Sequence, residues 1–102
     1  MKPFVVSPQA ADDLGEIWEY FAREATEEIA DRIVRKLVSS FAGLANTPGL
    51  GHRRSDLTKL PVHFFLVDPY LIVYQRDTSP LAIHSVLHAA RDLPIILRDR
   101  PL

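Results

Sequence analysis

The chain has 102 residues, 47% of them hydrophobic, which suits one domain with a substantial core. It contains no cysteine, so disulfides and thiolate-bound zinc are excluded and a cytoplasmic location is favoured. The formal net charge of −1 and the pI of about 6.4 disfavour a protein that binds nucleic acid strongly and non-specifically, because such domains are usually basic.

No targeting or membrane segment is recognisable in the sequence. No long apolar run follows Lys2, as a signal peptide would need, and no run approaches the ~20 apolar residues of a membrane helix. Charge is unevenly distributed: residues 1–46 contain five Lys/Arg and eight Asp/Glu, whereas residues 47–102 contain seven and five, together with all four histidines. We therefore expect a single domain, residues 1–102, with an acidic and a basic surface.

A short strand and a helix are predicted first. Phe4-Val5-Val6 is the strand, and Ser7 followed by Pro8 is a typical helix start. Apolar side chains recur at spacings of three and four, which predicts a buried stripe of Leu14, Ile17, Trp18 and Phe21. The outward face is expected to carry Asp12, Asp13, Glu16, Glu19 and Arg23.

A second helix is predicted from the N-cap Thr26 to Asn46, because Pro48 cannot continue it. Its apolar stripe consists of Ala30, Ile33, Val34, Leu37, Val38, Phe41 and Leu44. The very short link folds the two helices into a hairpin, and the two apolar stripes need a sheet to pack on.

Three more strands are predicted in the second half. A basic, turn-rich loop at residues 48–57 precedes strands at 61–67, 70–75 and 81–88, and the short turns between them favour an antiparallel meander. A short helix at 92–97 and a frayed tail at 98–102 follow. The predicted fold is α+β, in the order β-α-α-β-β-β(-α), with a helical hairpin packed on one face of a small, mainly antiparallel sheet.

The last two strands carry the most informative residues. Residues 70–74 are apolar at every position, which is typical of a central strand covered on both faces. The last strand runs into three polar residues, His88, Arg91 and Asp92. Polar groups at the end of a strand, on a rigid scaffold, are where functional sites commonly lie.

Four segments, in the same order, resemble the ParE branch of the RelE/ParE toxin family, the toxins of type II toxin–antitoxin modules. They are Ser7-Pro8-Gln9-Ala10 with Asp13, Leu14, Ile17 and Tyr20; Pro48, Gly51, Arg54, Asp56 and Leu57; Tyr70-Leu71-Ile72-Val73-Tyr74; and Val86-Leu87-His88-Ala89-Ala90-Arg91-Asp92. The chain departs from the family at Ala89, where members often have Gly, at His63, where they often have Arg, and in the Asp68-Pro69 turn. These departures concern target-facing details.

The resemblance implies a bacterial toxin that inhibits DNA gyrase by binding it, that is neutralised by a cognate antitoxin, and that belongs to a plasmid-stabilisation type of system. It implies no catalytic residue, no cofactor and no metal, and a homo-oligomer or a hetero-oligomer with the antitoxin. Gyrase with its DNA presents acidic surface and phosphates, so basic residues of the second half are the candidates for target contact. They are Arg53, Arg54, Arg76, His88 and Arg91.

Two other functions stay open. A RelE-like mRNA interferase would use His88 and Arg91 as catalytic residues, because RNA cleavage needs a proton acceptor and a cation that holds the phosphate. The sequence offers no Tyr after Tyr74 and no Glu after Glu28 to complete such a site. The other possibility is a non-toxic module that only binds an antitoxin.

Structural roles compete with these assignments. Arg91 could pair with Asp92, and Arg53 and Arg54 could belong to a solvated loop. His84 and His88 are expected on the same face of the last strand, ~13 Å apart and too distant to share a metal ion.

Overall fold

The computed structural model describes residues 2–102; Met1, the first residue of the predicted domain, lies outside the described residues. The predicted element order is confirmed. The strands and helices are β1 (Phe4–Val6), α1 (Pro8–Glu24), α2 (Glu27–Asn46), β2 (His63–Val67), β3 (Tyr70–Gln75), β4 (Leu81–His88) and α3 (Leu93–Arg98). A single 3-10 turn at Pro48–Leu50 follows α2.

The four strands form one mixed sheet in the order β1-β4-β3-β2. The meander β2-β3-β4 is antiparallel, as predicted, and β1 pairs in parallel with β4. One face of the sheet packs on the hairpin and the other on α3 and residues 57–62. Strand β3 is buried almost throughout, which confirms the prediction of a strand covered on both faces.

The helices begin and end where local chemistry requires. The Ser7 hydroxyl accepts the Ala10 N–H at 3.0 Å and the Thr26 hydroxyl accepts the Ile29 N–H at 3.1 Å, so both N-caps are satisfied as predicted. Glu27 and Glu28 lie in the first turn of α2, where the helix dipole favours negative charge. None of the helices in the described part of the chain has the length and apolar character that spanning a bilayer requires.

Several predictions about the helical faces and the strand bounds were wrong. Trp18 is only half-buried, because its indole N–H reaches across the hairpin to the Asp31 carboxylate at 2.7 Å. Val38 is 37% exposed and lies outside the packed stripe of α2. Asp13, expected on the outward face, is buried. Strand β2 begins at His63 rather than at residue 61.

The two histidines of β4 do not share a surface, contrary to the prediction. Tyr74 pairs with Ile83 while Val73 pairs with Ser85, so β4 contains one extra residue at His84 and the alternation of faces shifts there. The His84 ring contacts the C-terminal tail. The His88 ring lies against Tyr70 on the hairpin side, with ring centroids 5.6 Å apart.

The C-terminal residues also differ from the predicted frayed tail. Helix α3 continues to Arg98, and the Arg100 guanidinium forms two hydrogen bonds with the Asp13 carboxylate, at 2.7 and 2.9 Å. Arg100 is thereby anchored on α1, a contact between residues 87 positions apart in the chain.

Candidate functional site

The five basic residues predicted to contact a target lie in separate places. They are Arg53 and Arg54 in the basic loop (residues 48–57), Arg76 just after β3, His88 at the end of β4, and Arg91 in the turn that follows. The charges of Arg76 and Arg53 both lower the pKa of His63. His88 and Arg91 together line a groove at the other end of β4.

The start of the basic loop is held firmly against the sheet. The buried Tyr74 hydroxyl donates to the Pro48 carbonyl at 2.6 Å and accepts the Gly51 N–H at 2.9 Å. The His52 N–H and C=O both pair with Phe64, at 3.0 and 2.8 Å. Glycine is needed at position 51, because a Cβ there would lie 2.5 Å from the Tyr74 hydroxyl oxygen and 2.7 Å from the Phe64 carbonyl oxygen.

Arg54 is engaged within the loop itself. Its Nε and Nη2 donate to the two carboxylate oxygens of Asp56, at 3.0 and 2.8 Å, and its carbonyl accepts the N–H groups of Leu57 and Thr58. These side-chain hydrogen bonds raise the pKa of Arg54 and lower the pKa of Asp56. The charge of Arg54 is thus compensated locally, whereas the neighbouring Arg53 has no acidic partner at ion-pair distance among residues 2–102.

The charges of Arg53, Arg76 and Asp77 all influence the pKa of His63. Burial is the main cause that lowers its pKa; the positive charges of Arg76 and Arg53 lower it further, and the negative charge of Asp77 opposes them. The net shift is downward, so the ring is neutral at pH 7. Its Nδ1 is the only buried side-chain polar atom without a hydrogen-bond partner in the described part of the chain. Arg53 and Arg76, neither ion-paired within residues 2–102, thus share the electrostatic surroundings of a neutral imidazole with Asp77.

A groove of about 420 Å³, here called the end groove, opens between α1 and the end of β4. Its apolar lining consists of Ile17, Phe21, Pro69, Tyr70 and Val86. Its polar lining consists of Asp13, Glu16, Tyr20, His88 and Arg91. An apolar groove with a few converging polar groups is typical of a site that binds a ligand or a peptide side chain.

The side chains of His88 and Arg91 are held differently in the end groove. The Nδ1 atom of His88 accepts the Ala90 N–H at 3.0 Å, so the proton of the neutral ring lies on Nε2. Arg91 is exposed and forms no ion pair with Asp92 within residues 2–102. Asp92 instead caps the first turn of α3. Arg91 is therefore available to an incoming group.

The end groove also contains residues that sequence reasoning did not connect with the site. Glu16 and Tyr20 lie on α1, one turn apart, and line the same groove as His88 and Arg91. The sequence places them far from the closing motif, so only the packing of α1 on β4 reveals the association. No group of three or more potential metal-ligating His, Asp or Glu side chains occurs within residues 2–102.

The free edge of β4 explains the polar residues at the start of α1. Strand β1 ends at Val6, opposite Ile83, so the next residues of β4 have no strand partner on that side. The His84 carbonyl accepts hydrogen bonds from the Ser7 hydroxyl at 2.8 Å and from the Gln9 amide at 3.3 Å. The Val86 N–H donates to the Asp13 carboxylate at 2.9 Å. Side chains of α1 thus replace the missing strand.

The C-terminal clamp, defined as Asp13, His84, Ser85 and Arg100, lies on the same edge. Arg100 donates to Asp13 and, at 3.0 Å, to the Ser85 hydroxyl, which in turn donates to Nδ1 of His84 at 2.8 Å. Nε2 of His84 donates to the Arg100 carbonyl at 2.7 Å. Burial is the main cause that lowers the pKa of His84, so the ring is held neutral.

A signal for Asp13 was present in the sequence. Asp13 stands three residues after Ala10 and four before Ile17, both of which are buried, so the helical period already places it on the inner face. Its charge, rather than its position, led to the wrong prediction.

Comparisons with known proteins agree with this architecture. The family described as "ParE toxin of type II toxin-antitoxin system, parDE" matches residues 4–93, which include all five predicted target-contact residues. The fold is similar to that of a chain in the solved structure "Chromosomal ParDE TA system from P. aeruginosa", with a TM-score of 0.70 and 18% identity over 83% of this chain and 92% of that chain. No curated protein sequence matches significantly. Since the family match covers most of the sequence, the chain belongs to the ParE toxin family of type II toxin–antitoxin systems.

Proposed function

We propose that this ParE-family toxin acts in the bacterial cytoplasm, where it arrests growth by binding DNA gyrase, and that a cognate antitoxin neutralises it. The observation that carries the gyrase proposal is that Arg53 and Arg76, which form no ion pair within residues 2–102, both act electrostatically on His63 and so add positive charge to one region of the surface. Such a surface complements an acidic protein surface, steers association and makes it sensitive to salt. Inhibition by binding requires a surface and no nucleophile.

The end groove supports the antitoxin part of the proposal. Its apolar floor can take aliphatic or aromatic side chains from a flexible antitoxin segment, and Arg91 and Glu16 can pair with charges of opposite sign on that segment. Tyr20 is 51% exposed beside this floor and provides a large apolar contact for a partner. Toxin and antitoxin would then form a hetero-oligomer, and the target surface near His63 would use different residues.

The test of the gyrase proposal is a supercoiling assay with purified toxin. We expect inhibition at micromolar toxin, relief by the antitoxin, and weaker inhibition at higher salt. Arg53→Ala and Arg76→Ala should each weaken inhibition by about tenfold, the effect of losing ~1.4 kcal/mol of binding free energy. Arg35→Ala, which removes an exposed arginine on α2, is the matched control and should leave inhibition unchanged. Unaffected supercoiling at micromolar wild-type toxin would refute the proposal.

A second candidate function is RNA cleavage, because Glu16, Tyr20, His88 and Arg91 line one groove. A carboxylate or imidazole could accept a proton from a ribose hydroxyl while Arg91 holds the phosphate. A ribosome-dependent cleavage assay tests it directly. Specific mRNA cuts that His88→Gln abolishes, together with unaffected gyrase, would establish this function instead. No response in either assay would indicate a non-toxic module that binds only the antitoxin.

A further inference from the structure

The position of Arg53 is fixed by backbone contacts on both sides. On one side, His52 forms a two-bond bridge with Phe64 on β2. On the other, the Arg54 carbonyl accepts two backbone N–H groups and its guanidinium is paired with Asp56. Arg53 is therefore an exposed cation on a backbone that has few alternative conformations. A side chain displayed in this way loses less conformational freedom when it binds.

The anchor of this arrangement is a hydroxyl from the central strand. Tyr74 is completely buried, yet its hydroxyl bonds both sides of the 3-10 turn, the carbonyl of Pro48 and the N–H of Gly51. Burial raises the pKa of Tyr74, so the phenol remains a hydrogen-bond donor at neutral pH. Gly51 lets the backbone approach this hydroxyl, since any Cβ would overlap it. Both residues thus determine where the basic loop leaves the sheet.

We infer that Tyr74 and Gly51 are positioning residues for target recognition: they hold the basic loop so that Arg53 meets a carboxylate on the surface of the target protein. The inference rests on the proposed function for the identity of that target, gyrase. A protein carboxylate is favoured over a nucleic-acid phosphate because the chain has a net charge of −1, whereas nucleic-acid binders usually present an excess of positive charge. Arg54 stabilises the loop through Asp56, and Arg53 makes the contact.

The test is a double-mutant cycle on gyrase binding. Tyr74→Phe keeps the ring in the core and removes only the hydroxyl, and Gly51→Ala displaces the same contact from the loop side. Each should weaken binding by about tenfold in the wild-type background, equivalent to ~1.4 kcal/mol, and should have little further effect in an Arg53→Ala background. Gly49→Ala is the matched control in the same segment, since a Cβ there meets nothing within 4 Å. It should bind as the wild type does.

Amide hydrogen exchange supplies a readout that does not depend on gyrase. In Tyr74→Phe and Gly51→Ala, the amides of the basic loop should exchange faster, while those of β3 and β4 remain protected and the thermal transition stays cooperative. A smaller salt dependence of binding should accompany the faster exchange, because a mobile Arg53 pairs less often.

The outcomes separate the inference from the proposed function. Wild-type toxin that does not bind gyrase overturns both the function and the target assigned here. Wild-type toxin that binds gyrase, with Tyr74→Phe and Arg53→Ala effects that simply add, overturns the positioning role alone. The same holds if loop exchange is unchanged in both variants. Binding of duplex DNA without gyrase, weakened by Arg53→Ala, would replace the carboxylate with a phosphate and overturn the partner assigned here.

Discussion

Two bidentate arginine–aspartate pairs in this molecule have opposite surroundings. Arg100 and Asp13 are 87 positions apart in sequence, and their side chains are 21% and 4% exposed. Arg54 and Asp56 are two positions apart, and their side chains are 46% and 63% exposed. The donor–acceptor distances are nearly the same in both pairs, from 2.7 to 3.0 Å.

The difference shows that geometry alone does not set the contribution of an ion pair to stability. Water stabilises the separated charges of Arg54 and Asp56 nearly as well as the ion pair does. The pair therefore helps to shape the loop and adds little to the free energy of unfolding. Asp13 is desolvated, and it also satisfies the Val86 N–H of a free strand edge. Removing its arginine would leave a buried charge without compensation, which is strongly destabilising.

The largest effect is expected from breaking the C-terminal clamp. Arg100→Met should lower the free energy of unfolding by about 3–5 kcal/mol, because Asp13 is left buried and unpaired. Urea denaturation measures it. Arg98→Met, two residues earlier and exposed, is the matched control and should be close to wild type. In an Asp13→Asn background the same Arg100 change should cost much less. Equal losses for the two methionine variants would show that the clamp contributes nothing.

A substitution in the hydrophobic core allows the stability loss from breaking the clamp to be compared with the loss of ordinary packing. Leu37 is 1% exposed in the centre of α2, so Leu37→Ala should cost about 2–5 kcal/mol through lost burial and the cavity left behind. Val38→Ala, at the next position and 37% exposed, is the matched control. Chemical denaturation of both variants gives the comparison. A loss for Leu37→Ala no greater than that for Val38→Ala would mean that the buried face of α2 is misassigned.

The pH dependence of stability should reveal the imidazole of the clamp. The pKa of His84 is lowered from 6.5 in the folded protein, so the unfolded chain binds the proton more readily. Its contribution is fully present above about pH 6.5 and is lost as the pH falls below that value. Thermal or urea melts between pH 5 and 8 should show a steeper acid-side decline for wild type than for His84→Gln.

His63 shifts in the same direction and supplies an internal comparison. Burial, Arg76 and Arg53 lower its pKa, so His63→Gln should also flatten the acid-side decline. Identical pH profiles of stability for wild type and His84→Gln would show that the His84 imidazole does not contribute to the acid-side decline, whatever the result for His63→Gln.

The smallest effect is expected from the exposed pair. Arg54→Ala and Asp56→Ala should each leave the unfolding midpoint within the error of the wild-type measurement, because both side chains are solvated. For these variants, the unfolding midpoint should be the same at low and at high salt. A destabilisation as large as that of Leu37→Ala would contradict the contrast between the two pairs.

The sequence identified many residues of the site, but not which of them lie together. The basic character of residues 51–57 and the polar end of β4 were evident, but not that Arg54 pairs with Asp56 or that Glu16 and Tyr20 join His88 in one groove. The Arg54–Asp56 pair depends on how the loop turns, and the association of Glu16 and Tyr20 with His88 depends on where α1 packs on the sheet, which no local pattern encodes.

Local sequence patterns were enough to predict the helices, the strands and their order along the chain, but not the order of the strands within the sheet. Caps at Ser7 and Thr26, the stop at Pro48, and the three-and-four spacing of apolar residues act over a few neighbouring positions, where propensity and hydrogen bonding are local. The partners of the Asp13 carboxylate, the extra residue of β4 at His84 and the anchoring of Arg100 became visible only in the folded chain. The bulge at His84 depends on the register between β4 and β3. The contacts of Asp13 and Arg100 join residues 73 and 87 positions apart, brought together because the free edge of β4 must satisfy its backbone groups without a neighbouring strand.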